Sequence, residues 1–151
     1  MKTVHKAVAV VVRTRDAILE LLVFQHPLAG IQIPKGTVEP GETIEAATLR
    51  ELHEESGIRL NDPPKSIGTC ELVVSDAPQA AGQLERHVWN ISVLDAPTGL
   101  PETWQHDAEG SDAEIGLTFS YFWVPIDKTL LAQVHPSFRQ AASVIVDHFA
   151  H

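Results

Sequence analysis

Hydrophobic positions along this chain fall into runs whose period changes from one stretch to the next. Residues 7–12 (AVAVVV) form an unbroken apolar run bounded by charges, which predicts a strand buried on both faces. A polar turn at 13–16 leads into residues 17–24 (AILELLVF), a second strand. The segment His26-Pro27-Leu28-Ala29-Gly30 breaks it, residues 31–33 alternate briefly, and Pro34 ends that short strand. Residues 35–41 (KGTVEPG) hold two glycines and a proline, which predicts a loop.

From Thr43 the period becomes helical. Thr43 suits an N-cap, helix-forming residues follow, and Gly57 suits the left-handed position just past a helix C-terminus. At about 100° per residue, Ala46, Leu49 and Leu52 share the packing side, and Glu51, Glu54 and Glu55 share the opposite side. After the loop 61–64 (NDPP), strands are expected at 66–75 and 86–94, joined through the Ala/Gly/Pro-rich segment 76–82. Residues 95–114 read as a long polar connection, and 117–124 (LTFSYFWV) as an aromatic strand. Residues 137–150 predict an amphipathic helix with Phe138, Ala141, Ala142, Ile145 and Phe149 at core spacing. No internal repeat or linker divides the chain, so a single α/β domain over residues 1–151 is expected.

Composition narrows the classes. With 44% hydrophobic and 21% charged residues in 151, the chain can bury a full core, and disorder is excluded as its main character. The net charge of −9 is unevenly placed, with twelve acidic against four basic residues beyond residue 60 and eight against seven before it. That balance argues against tracking a nucleic-acid backbone, while small anionic substrates remain compatible where a metal supplies local positive charge. The lone Cys70 has no partner for an internal disulfide, no apolar run reaches membrane-spanning length, and the run 7–12 is too short for a signal peptide. A cytoplasmic, reducing setting is expected.

Glu51, Glu54 and Glu55 are three like charges at i, i+3 and i+4, so on a helix they repel one another on one face. Such a cluster is ordinarily either a solvated acidic surface or a site that holds a cation. Oxygen ligands with no nearby Cys, and with no His on the same face, select Mg²⁺ or Mn²⁺ over zinc. His53-Glu54-Glu55-Ser56-Gly57 begins like a zinc-protease helix, but Gly57 stands where the second His is required.

Written as a pattern, residues 36–58 run G, five residues, E, seven residues, R-E-aliphatic-x-E-E-x-G-aliphatic, through Gly36, Glu42, Arg50, Glu51, Leu52, Glu54, Glu55, Gly57 and Ile58. This resembles the Nudix box at every defining position. The resemblance implies the Nudix fold, an α/β/α sandwich with a mixed sheet, and a hydrolase of phosphoanhydrides that uses Mg²⁺ or Mn²⁺. It implies Glu54 and Glu55 as principal metal ligands, Glu51 as a third carboxylate acting as ligand or base, and the Gly36 carbonyl as a backbone ligand. It further implies Glu42 as the loop glutamate completing the site, and Arg50 as the residue that pairs with and orients the glutamates.

The run Pro34-Lys35-Gly36 followed by TVEPGE resembles the branch of the family that hydrolyses dinucleoside polyphosphates, and Lys35 is a candidate phosphate contact. Many family members take a general base from a loop beyond the box, which makes Glu102, Glu109, Asp112 and Glu114 candidates. Among Trp89, Trp104, Tyr121 and Trp123, Trp104 is the candidate for stacking on a base because it falls in the polar connection. The expected function is metal-dependent hydrolysis of a nucleoside diphosphate linked to another moiety, with dinucleoside polyphosphates or nucleoside triphosphates favoured. ADP-ribose or nucleotide-sugar hydrolysis, and a non-catalytic nucleotide-binding module, are the alternatives. The expected partner is a small-molecule nucleotide, without nucleic acid or membrane, acting on a monomer or homodimer.

Overall fold

The computed structural model describes residues 1–75, 83–110 and 114–150. The connecting segment 76–82 and the candidate Asp112 lie outside the described residues.

The apolar run becomes the middle of strand β1, Lys2–Arg15, in which residues 7–12 are all buried. Strand β2, Ile18–His26, folds back on it through the two-residue turn Asp16-Ala17, with φ of 51° and 65°. Positive φ at both central positions matches the right-handed twist of a hairpin, although Ala17 lacks the freedom a glycine would have there. The antiparallel pairing of β1 with β2 covers Val12 to Arg15. The two strands then part. Strand β3, Gly30–Gln32, takes the edge of β2 at Phe24 to His26, and β4, Lys35–Thr37, takes the edge of β1 at Lys6 to Val8. This fork positions the site.

Helix α1, Ile44–Ser56, follows β4. The Thr43 hydroxyl accepts from the Ala46 N–H at 3.1 Å, and Gly57 takes φ 83° and closes the last turn on His53, as the sequence predicts. Strands β5, Lys65–Ser75, and β6, Leu84–Asp95, pair antiparallel, and β6 runs parallel to β1 from Lys2 to Val12. That pairing is why β1 begins at Lys2 rather than at residue 7. Strand β7, Trp104–Asp107, and β8, Thr118–Pro125, complete the sheet, whose order is β5-β6-β1-β2-β8-β7. Helix α2, Leu130–Gln133, and a 3₁₀ turn, Pro136–Phe138, precede helix α3, Arg139–Phe149.

Alternation along β1 divides the core. Val8, Val10 and Val12 pack with Phe138, Ala141, Ala142 and Ile145 on the α3 side, while Ala9 and Val11 pack with Leu22, Phe24 and Leu52 on the α1 side. The result is the expected mixed sheet between helical layers. Among the described residues no helix is long and apolar enough to cross a membrane.

Three expectations are corrected. Residues 35–37 and 104–107 are strands rather than loop, because β1 and β8 offer them ladder hydrogen bonds that local composition does not reveal. The final helix begins at Arg139, with a 3₁₀ turn ahead of it. On α1 the buried positions are Ala47, Thr48, Glu51, Leu52, Glu55 and Ser56, whereas Ala46 is exposed and Leu49 half-buried. The glutamate face is therefore turned inward against the fork.

Candidate active site

The C-terminal turn of α1 leaves backbone carbonyls with no partner inside the helix. Strands β7 and β8 and the residues just past β7 supply those partners: Glu109 N–H donates to Glu54 O at 3.2 Å, Tyr121 OH to Glu55 O at 2.7 Å, and Trp104 Nε1 to Ser56 O at 3.0 Å. The Ser56 hydroxyl bonds back to Leu52 O at 2.6 Å. The turn carrying Glu54 and Glu55 is thus clamped to the sheet by side chains far from it in sequence.

At the other wall, β4 passes so close to α1 that a Cβ on Gly36 would lie 1.8 Å from Glu51 Cδ. A side chain at 36 would push the Glu51 carboxylate from its place, and glycine leaves room for it. The neighbouring Lys35 N–H donates to Glu55 Oε1 at 2.9 Å. Glu55 is 2% exposed, and burial first, then the nearby Glu114 charge, push its carboxyl well above the usual range. The two carboxyl groups share a hydrogen bond that acts in the same direction. Burial also raises Glu51, to about 7, against the opposing pull of Arg50.

Arg50 organises the remaining acids. Its guanidinium donates to Glu42 at 2.8 and 2.9 Å, to Glu51 at 2.8 Å, to Glu54 at 3.2 Å and to the Thr37 carbonyl at 2.9 Å. The Glu42 carboxyl is held down at about 2, chiefly by this pairing, and also accepts from the Glu39 N–H at 3.0 Å. Arg50 thus contacts three glutamates at once, and the i,i+4 pair with Glu54 is one contact within a network.

Lys6, Lys35, Gly36, Arg50, Glu51, Glu54, Glu55 and Glu114 line one cleft of about 410 Å³. Lys35 Nζ lies 4.4 Å from the Trp89 ring centroid and 5.3 Å from that of Phe138, and burial lowers its pKa to about 8. Lys6 is absent from the candidates drawn from sequence. Its signal was parity, since Lys6 precedes Val8 and Val10 at strand spacing and so faces the same side of the sheet as they do.

The acidic loop is sorted by the structure. Glu114 lines the cleft. Glu102 lies elsewhere, bonded to Arg13 at 2.8 and 3.2 Å and paired with Arg15. Glu109 places its backbone on Glu54 and its carboxylate 3.9 Å from His106. Trp104 is outside the cleft lining: its ring stacks on Tyr121 at 5.1 Å and its N–H serves α1, so it packs the helix end instead of standing in a polar loop.

For a divalent cation the chemistry of the donors fits, because the α1 wall offers only oxygen ligands and glycines at 36 and 110 leave room against Glu51 and Glu54. The carboxylates line the cleft without converging on one point. Among the described residues no three His, Cys, Asp or Glu side chains form a metal-ligating group, and Arg50 lies among Glu42, Glu51 and Glu54.

Comparison with known proteins accords with the box and the fold. A family model described as the NUDIX domain matches residues 3–144. No curated protein matches the chain. Among solved structures, a MutT protein from Methanosarcina mazei Go1 superposes with TM-score 0.64 at 16% identity, over 99% of this chain and 97% of that one. The Ap4A hydrolase of C. elegans in a binary complex gives TM-score 0.58 at 20% identity, covering 97% and 95%. The E. coli dihydroneopterin triphosphate pyrophosphohydrolase gives 0.59 at 20%, covering 95% and 94%. At these identities the superpositions speak to the fold alone, whereas the family model spans nearly the whole sequence. The chain belongs to the Nudix hydrolase family.

Proposed function

We propose that this protein hydrolyses a phosphoanhydride bond in a nucleoside diphosphate linked to another moiety, with dinucleoside polyphosphates or nucleoside triphosphates as the favoured substrates. The observation that carries this is the polarity of the cleft: Glu51, Glu54 and Glu55 stand on the α1 wall, and Lys6 and Lys35 on the strands beside it. A chain of phosphates bridged to carboxylates by cations and flanked by ammonium groups matches both sides.

Glu54 and Glu55, with Glu51 and the Gly36 carbonyl, would hold Mg²⁺ or Mn²⁺, which when bound supplies Lewis acidity and neutralises phosphoryl charge. The chain itself does the rest. Lys35, anchored on Trp89 and Phe138, receives a phosphate oxygen. Arg50 keeps Glu42, Glu51 and Glu54 in register. Glu114, hydrogen-bonded to Glu55, is the acid of the distal loop whose position supports proton abstraction from the attacking water. A cytoplasmic setting belongs to the same proposal and agrees with the single free Cys70.

The test is phosphate or nucleotide release from a substrate panel, with and without Mg²⁺. Mg²⁺-dependent release from a dinucleoside polyphosphate or a nucleoside triphosphate is expected. Release only from ADP-ribose or a nucleotide sugar overturns the substrate choice, and binding without release overturns the enzymatic reading.

A further inference from the structure

The cleft sets two lysines beside its carboxylate wall. Lys6 belongs to β1 and Lys35 to β4, and the antiparallel register between these strands, with Lys6 opposite Thr37 and Val8 opposite Lys35, brings both into one cleft. Lys35 lies on aromatic faces and Lys6 shares its cleft, so an anion bound there would meet both ammonium groups.

The cations of this cleft are committed differently. Arg50 is occupied by Glu42, Glu51 and Glu54. Lys35 rests on two aromatic faces. Lys6 donates to the Thr37 hydroxyl at 2.6 Å. A hydroxyl acceptor leaves an ammonium with two further donors, and Lys6 and Thr37 both line the cleft beside Gly36. Thr37 can in turn donate its own proton to the same anion.

Resting on the hydrolase proposal above, we propose that Lys6 and the Thr37 hydroxyl form a separate phosphate subsite, which gives the cleft its preference for chains of three or more phosphates over a bare diphosphate. The α1 wall with its cations takes the phosphate under attack, Lys35 takes a neighbouring one, and Lys6 takes the next. The volume of about 410 Å³ is at the small end for a ligand pocket, so it holds phosphates while the nucleoside extends outward.

Binding of inorganic tripolyphosphate and pyrophosphate, measured by isothermal titration calorimetry in Mg²⁺ buffer, separates this subsite from the catalytic wall. Lys6→Met is expected to weaken tripolyphosphate about tenfold and pyrophosphate less than about threefold, while Lys6→Arg restores tripolyphosphate to within about threefold, as one charge-assisted contact requires. Equal losses for both ligands, or no loss, overturn the proposal. Should Lys6→Met fail to fold, acetylation of the wild-type protein read by mass spectrometry gives the same answer: tripolyphosphate is expected to protect Lys6 and pyrophosphate not, and equal protection overturns the proposal. Turnover of nucleoside triphosphates with unchanged tripolyphosphate affinity in Lys6→Met removes the subsite and leaves the hydrolase proposal standing. Lys6-dependent tripolyphosphate binding without turnover of any nucleotide does the reverse.

Discussion

Ala17 occupies the second position of the β1–β2 turn at φ 65°, a conformation that costs a non-glycine residue roughly 1–2 kcal/mol. Ala17→Gly is expected to raise unfolding stability by about 1 kcal/mol in urea, the relief of strain exceeding the added freedom of the unfolded chain. A lower stability would contradict the strain. At Glu42 the expectation is a pH dependence. Its folded pKa of about 2 lies below the ordinary 4.5, so its contribution is present above pH 4.5 and lost as pH falls toward 2. The stabilities of wild type and Glu42→Gln should therefore differ at neutral pH and converge through that window, and a constant gap would contradict the pairing with Arg50. Residues differ in how legible they were from sequence. Arg50 and the box glutamates announced themselves by spacing, but the burial of Glu51 and Glu55 did not, because it depends on β4 and Gly36 meeting the helix.

At the scale of elements, α1 is held where its last turn meets β7 and β8. Tyr121 OH is buried and donates to the Glu55 carbonyl, so Tyr121→Phe should leave that carbonyl unsatisfied and cost about 1–3 kcal/mol. Because the same turn carries Glu54 and Glu55, turnover should fall beyond what the lost stability explains, and thermal denaturation beside kinetics will check both. The bounds of α1 were readable because Thr43 and Gly57 carry local capping chemistry. Strand β7 was not. Its four residues, Trp-Gln-His-Asp, have little apolar pattern, and they become a strand only because residues 118–121 of β8 lie alongside. Trp104, expected in a polar loop, lies in this strand with its ring on Tyr121.

At the scale of the molecule, the sheet forks where β1 and β2 part, and α1 lies along the opening with its carboxylates turned in. The α/β/α layering followed from alternating apolar periods and the box, whereas the fork, the parallel β1–β6 pair and the two-lysine side of the cleft arise from long-range register that no local window contains. The proposed function requires the buried carboxylate wall to act in metal-dependent hydrolysis. Glu55 tests it best, since Gln preserves its shape and its acceptor for the Lys35 N–H while removing the charge. The decisive measurement is nucleotide turnover by wild type and Glu55→Gln across a Mg²⁺ titration, with circular dichroism confirming that both are folded. Mg²⁺-dependent turnover is expected in the wild type, with a loss of about 10²-fold or more in the folded variant. Near-normal turnover by folded Glu55→Gln, or wild-type turnover indifferent to Mg²⁺, would contradict that requirement.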